Sequence, residues 1–197
     1  MSVRSFLRPD RARRPDGQIT VGAIDAVRLD ALREEATGIW ASAMGYPSSL
    51  IATRASLIRQ HLREPDLRAV TAHESDGTLV GFAYGYRSQP GQWWHDEVHG
   101  LAERAGNGVL LDWLADCHEL CELHVRPHQQ GRGIGRRLAE EFLATIPARR
   151  VILSTPDSPT AAVSLYEALG MQLLAPGFVF STDARPFAIY GIELTAR

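Results

Sequence analysis

The chain has 197 residues, 45% hydrophobic and 22% charged, a composition that suits one globular domain with an elaboration and argues against disorder or fibrous repeats. Its formal charge of -2 at pH 7 gives no overall electrostatic reason to expect nucleic acid or an anionic membrane as partner. All 21 residues in the Lys+Arg count are arginine, which excludes a Walker A lysine, a Schiff-base lysine and a lysine nucleophile.

Residues 1–17, with Arg4, Arg8, Arg11, Arg13 and Arg14, read as a flexible Arg-rich arm. No apolar stretch follows that serves as a signal-peptide core or a transmembrane helix, so a soluble cytoplasmic protein is expected. One domain is expected over residues 18–197. Ile19, Val21 and Ala23 suggest a short strand, and Asp25 then caps a helix in which Leu29, Leu32, Ala36, Ile39 and Trp40 recur at helical spacing. Gly45 and Pro47 end it, and a second helix is predicted from about residue 49 to 63. Residues 67–74 and 79–87 read as strands, with Ser75, Asp76 and Gly77 supplying the turn of an antiparallel hairpin.

Beyond Pro90 and Gly91, residues Trp94, Val98, Leu101, Ala102 and Ala105 line one face of a helix. Residues 90–115 are read as a helical insertion lying over the sheet. A strand follows over residues 117–125, then a glycine-rich turn at Gly131, Gly133 and Gly135. The next helix carries Ile134, Leu138, Phe142 and Ile146 on one side. Residues 150–154 form a short buried strand and residues 160–169 a helix with Gly170 as its C-terminal cap. Strands over 171–180 and 187–194 close the chain. The order is mixed, so the expected fold class is α/β, a single mixed, largely antiparallel sheet flanked by helices. Cys117 and Cys121 are too few for a disulfide framework or a zinc cluster. On an extended strand they stand roughly 13 Å apart, beyond the roughly 7 Å that a bridge spans, and they are expected to be reduced.

The run Gln130-Gly131-Arg132-Gly133-Ile134-Gly135, between a strand and an amphipathic helix, has a definite physical use. Glycines let consecutive backbone N–H groups point into one concavity, and the helix start adds its partial positive charge, so a phosphate or pyrophosphate fits there. Arg126, Arg132, Arg136 and Arg137 surround the turn, where at least two are expected to be merely solvated. The dinucleotide fingerprint fails because Arg136 stands where its last glycine belongs, and a P-loop fails for want of lysine.

What remains, Q-x-x-G-x-G after a strand, resembles the GNAT superfamily of N-acetyltransferases. "CELHVRPHQQGRGIGRRL" looks like the family's strand, pyrophosphate loop and helix, and "AAVSLYEALGM" like its later helix with the Tyr-x-x-Leu-Gly ending. The resemblance spans residue 121 to about 173 and implies a GNAT-like acyl-CoA-binding fold with acetyl-CoA as acyl donor. The backbone of Leu123, His124 and Val125 would pair with the pantetheine arm. Gln130, Gly131, Arg132, Gly133, Ile134, Gly135 and Arg136 would hold the pyrophosphate. Where the family often has an asparagine seven residues before the tyrosine, this chain has Pro159, and Ser158 or Thr160 is the candidate to take over that contact.

Acyl transfer from a thioester to an amine needs a neutral nucleophilic nitrogen, a stabilised oxyanion and a proton for the departing thiolate. Tyr166, at the matching position, is the expected acid, and the Val125 N–H the oxyanion donor. Glu119 and Glu122 are candidate bases. Three apart on a strand, they are expected on opposite faces, so that only one faces the acyl group. His124 shares the face of Glu122 and its ordinary pKa suits proton transfer. The base stays open among these three. Cys121 reads as a buried small hydrophobe rather than a nucleophile. Trp93 and Asp96 in the inserted helix are the candidate contacts for a cationic amine, against simple packing of that helix.

The expected function is transfer of an acetyl group to a primary amine of a small molecule or peptide, by direct attack in a ternary complex. The alternative is a non-catalytic acyl-CoA-binding sensor or partner-docking module, motivated by Pro159 and the open base. Neither nucleic acid, membrane nor metal is expected. The pairing of protomers into a homodimer is left open.

Overall fold

The computed structural model describes residues 18–194, so the Arg-rich arm read over residues 1–17 lies outside the described residues. The first strand, β1 (Thr20–Ile24), runs into α1 (Ala26–Met44). Asp25 caps that helix by accepting the Arg28 N–H at 2.7 Å, and Gly45, at φ 70°, turns the chain out of it. Predicted from about residue 49, the second helix begins instead with a 3-10 turn at Ser48–Leu50, and α2 proper is Ile51–His61.

The predicted hairpin is β2 (Arg68–His73) and β3 (Leu79–Arg87), antiparallel. Asp76 accepts the Thr78 N–H at 2.9 Å within its turn, where Gly77 takes φ 87°. Helices α3 (Trp93–Ala105) and α4 (Gly108–Leu114) follow, the second capped by the Asn107 side chain. Then come β4 (His118–Val125), α5 (Ile134–Thr145), β5 (Arg150–Pro156), α6 (Ala161–Ala168), β6 (Gln172–Phe180) and β7 (Asp183–Glu193).

The last strand starts at Asp183 rather than near 187, because Phe180 pairs with Asp183 and closes a tight hairpin. Asp183 answers its own polarity by accepting from the backbone and guanidinium of Arg185. Polar residues that look like a loop therefore belong to the strand.

The seven strands of the described residues form one sheet in the order β1-β2-β3-β4-β5-β7-β6. The β4–β5 pair is parallel and every other pair antiparallel, matching the expected α/β class of one mixed, largely antiparallel sheet. One face carries α5 and α6, with Ile134, Leu138, Phe142 and Tyr166 packed on Val80, Leu120, Val125, Val151 and Leu153. The opposite face is shared. Leu29, Ile39 and Ile58 of α1 and α2 cover Phe82 and Tyr84, while Trp94, Val98, Leu110 and Trp113 of α3 and α4 cover Ile152, Phe178 and Ile189. Each such large apolar side chain contributes roughly 1.5–3 kcal/mol by its burial. Among the described residues no helix is long and apolar enough to cross a membrane, and no group of three or more His, Cys, Asp or Glu side chains is arranged to hold a metal ion. Both cysteines are free.

Candidate active site

β4 and β5 pair only at His118 with Val151 and at Glu119 with Ile152. Beyond those two pairs β4 stays with β3, and β5 stays with β7, so a wedge opens between them. Arg126 N–H donates to Val80 O at 2.8 Å, toward β3. Because backbone groups alternate sides along a strand, the N–H and C=O groups of Leu123 and Val125 point to the other edge, into the wedge. A strand edge presented this way is a template for an extended ligand.

At the wide end of the wedge lies the glycine-rich turn. Gly131 and Gly133 take φ 75° and 77°, left-handed conformations that suit glycine, and a Cβ at either would meet nothing within 4 Å. Gly133 caps α5 without any side-chain hydrogen bond, and the first i to i−4 bond there runs from Arg137 N–H to Gly133 O. The amides ahead of Arg137, those of Ile134, Gly135 and Arg136, thus have no intrahelical acceptor and collect the positive end of the helix dipole. The turn itself is braced by Gln130, whose side-chain amide donates to Val125 O at 3.0 Å. Gln130 therefore contacts the protein through that group.

The surrounding arginines are mostly committed. Arg126 bonds Leu79 O and Glu35, Arg136 bonds Glu140, Arg137 bonds Ile19 O, and Arg132 reaches Gln129. Across the wedge, Thr160 accepts the Val163 N–H at 3.2 Å and is spent as the cap of α6. Ser158 is exposed beside Pro159, and it alone of the two replacements has its hydroxyl uncommitted to that cap. Tyr166 of α6 is buried in the core that underlies the wedge, and burial pushes its phenol up to about 12. It is therefore protonated at neutral pH, as a proton donor must be.

The strand carboxylates overturn one expectation. The β3–β4 register slips so that Tyr84 opposes Glu122 while Gly85 opposes Leu120, and Cys121 is the extra residue of a β-bulge. Leu120 and Val125 pack on the α5 side, whereas Cys121 packs on the α1–α2 side. The bulge resets the alternation, so Glu119 and Glu122 share the α1–α2 face instead of lying on opposite faces. Gly85 is what allows this, since a Cβ there would fall 1.9 Å from the Glu119 carbonyl oxygen.

On this face Glu119 is buried with Oε2 lacking a hydrogen-bond partner. Burial pushes its carboxyl up to about 8, against the opposing pull of the Cys121 thiol and Arg54. Glu122 is engaged on both oxygens, one by Arg54 and the other by His124 Nε2 at 2.5 Å. Arg54 lies over the Trp40 ring, 5.1 Å from its centroid. Burial first, then Arg54, lower His124 to about 4. With Arg54 already matching the Glu122 charge, the imidazole is neutral and donates its Nε2 proton, which corrects the expectation of a His124 titrating near neutrality. His61 of α2 is bonded to Tyr84 Oη at 3.0 Å and is likewise lowered to about 4 by burial and Arg54.

Arg54 and His61 are not singled out by the sequence reading, and Trp40 is named there only on the apolar face of the first helix. A signal exists: Arg54, Ile58 and His61 recur at helical spacing, so two polar side chains interrupt the buried stripe of α2. Trp93 and Asp96 stand apart, at the start of α3. Trp93 is half exposed against Phe180, with ring centroids 5.7 Å apart, and Asp96 accepts the Gly91 N–H at 3.0 Å. They lie over the β5–β7–β6 half of the sheet, the carboxylates under α1 and α2.

The arrangement combines a strand-edge groove, an anion-binding helix start, a protonated phenol and a buried carboxyl poised near neutrality. Comparisons with known proteins identify the relatives of the chain. A family model described as the Acetyltransferase (GNAT) family matches residues 29–171. A GCN5-like protein acetyltransferase of Mycobacterium tuberculosis is 33% identical, over 81% of this chain and 90% of that protein. Among solved structures, an acetyltransferase of Salmonella typhimurium determined with its cofactor acetyl-CoA superposes with a TM-score of 0.60 at 17% identity, covering 91% of this chain and 96% of that one. A mosquito arylalkylamine N-acetyltransferase like 5b gives a TM-score of 0.61 at 16% identity, covering 90% and 100%. At those identities the two structures establish a shared fold.

Proposed function

We propose, from the premise that this chain belongs to the Acetyltransferase (GNAT) family, that it moves the acetyl group of acetyl-CoA to a primary amine of a small molecule or peptide by direct attack in a ternary complex. As a member it is an acyl-CoA-dependent acetyltransferase. The observation that carries the finer reading is the parting of β4 from β5 just past Glu119, which places open strand-edge groups and the start of α5 in one groove beside a buried carboxyl.

The groove fits the donor. The edge groups of Leu123 and Val125 would bond the pantetheine arm as a missing strand would, and the left-handed glycines and α5 amides would hold the diphosphate with no Cβ in the way. When bound, acetyl-CoA supplies a thioester carbonyl open to an amine and a thiolate leaving group. Val125, six residues and roughly 20 Å along β4 from Glu119, lies too far from that carboxyl for its N–H to face the same acyl oxygen, so its edge groups serve the pantetheine arm. Glu119, its carboxyl raised to about 8, is deprotonated enough near neutral pH to take the proton of the amine. Tyr166 supplies a proton to the sulfur. Glu122 orients the site, and Trp93 with Asp96 would meet a cationic acceptor from the α3 side. A cytoplasmic location without nucleic-acid or membrane partners accompanies this reading.

Thiol release from acetyl-CoA over a panel of small and peptide amines tests it. Saturation in both substrates with intersecting double-reciprocal lines is expected. Release at background for every amine, unchanged by Tyr166→Phe, overturns it.

A further inference from the structure

We propose that Arg54 is a positioning residue that divides the work of the two strand carboxylates: its pairing with Glu122 commits that side chain to holding charge and leaves Glu119 to take the acceptor's proton. The inference rests on the acetyltransferase reading and goes beyond it, by assigning a role to a residue of α2 outside the donor groove.

Geometry carries the argument. The Arg54 guanidinium is pinned between the Trp40 ring and one oxygen of Glu122, while the other Glu122 oxygen takes the His124 N–H at 2.5 Å. A carboxylate held on both oxygens, one of them by a fixed cation, is a poor proton acceptor. Glu119, on the same face, has an oxygen without a hydrogen-bond partner, whereas the Glu122 oxygen that likewise lacks one is held by the Arg54 ion pair.

The charges facing this pair come from every element around it. From β4 there are Cys121 and His124, from β3 Tyr84 and Tyr86, from α2 Arg54 and His61, and from the segment after α2 Glu64. Burial keeps the thiol and both phenols protonated. Burial and Arg54 keep both imidazoles neutral. The balance therefore turns on Arg54 against Glu122 and the more distant Glu64. Without Arg54, the bare Glu122 carboxylate would draw a proton onto His124 and oppose ionisation of Glu119.

The experiment uses the full chain carrying Arg54→Met, Arg54→Lys and, separately, Glu119→Gln and Glu122→Gln. Two quantities are read: the imidazole titration of His124 by NMR and the acid limb of kcat/KM in thiol release. In Arg54→Met, His124 should titrate at least one pH unit higher than in the parent. The acid limb should also move up by about one unit, with the KM for acetyl-CoA unchanged. Arg54→Lys should restore both toward the parent. Glu119→Gln should leave the His124 titration in place while removing turnover. Parent-like titration and acid limb in Arg54→Met overturn the inference, as does loss of turnover on Glu122→Gln with retention on Glu119→Gln. Where the parent transfers no acetyl group, the functional reading fails on its own, and the His124 titration still decides the role of Arg54. Should Arg54→Met not fold, Arg54→Lys and Arg54→Gln carry the same two readouts.

Discussion

Glu119 shows how one buried side chain links stability to turnover. Its carboxyl ionises near 4.5 in an exposed chain and near 8 in the fold, chiefly because burial penalises the charge. A raised carboxyl pKa contributes stability that is full below about 4.5 and is lost as pH rises through about 8. Glu119→Gln should therefore melt higher than the parent at pH 9, by roughly 10–20 °C, and match it at pH 4, as calorimetry across that range would show. The same substitution should lower kcat/KM by about 10²–10⁴-fold, and in the parent kcat/KM should climb with pH until about 8. Tyr166→Phe should lower kcat by roughly 10²-fold with little change in the KM for acetyl-CoA. Its melting temperature should stay close to the parent's, since the ring packing of Tyr166 in the core is retained. The sequence put Glu122, His124 and Tyr166 on the right elements because each sits inside a motif, and Glu119 because it lies on the strand leading into the first one. Arg54 is marked in the sequence only as a polar break in the buried stripe of α2, and its role is recognised only when its partner Glu122 is seen across the gap.

At the level of elements, the bulge in β4 decides which way the carboxylates point, and it was not legible beforehand. Strict alternation over residues 119–122 predicts opposite faces, and nothing in the run Glu-Leu-Cys-Glu marks the extra residue. The requirement is instead written in the neighbouring strand, as Gly85. A methyl group there would strike the Glu119 carbonyl at 1.9 Å, so Gly85→Ala must either straighten the bulge or push β3 and β4 apart. It should cost roughly 1–3 kcal/mol in urea unfolding and reduce kcat/KM more than its stability loss accounts for, because Glu119 and Glu122 would no longer share a face. Helix boundaries were easier to read. Asp25 and Gly45 bracket α1 by cap and left-handed exit, and Thr160 with Gly170 bracket α6. The late strand was shortened in the reading because Asp183, Arg185 and Pro186 look like a loop, whereas Asp183 and Arg185 satisfy one another in place.

The architecture of the whole molecule followed from the order of its elements, since a hairpin, a strand with a glycine turn and helix, and a closing pair of strands leave few ways to build one sheet. What that order could not convey is how little strand pairing joins the halves of the sheet, which the core under α5 and α6 otherwise holds together. Four strands and three strands meet through two residue pairs, at His118 with Val151 and at Glu119 with Ile152. Acetyl-CoA lying in the gap would add contacts to both sides, so at 100 times its dissociation constant it should raise the unfolding free energy by about 2.7 kcal/mol, read as an upward shift in the melting curve. Amide exchange at Leu123 and Val125 should slow in parallel, and exchange along β2 should not. Mechanically, then, the sheet resembles a book opened at its spine: two stiff leaflets share a short binding. A donor seated in the gap would be the page that both covers grip.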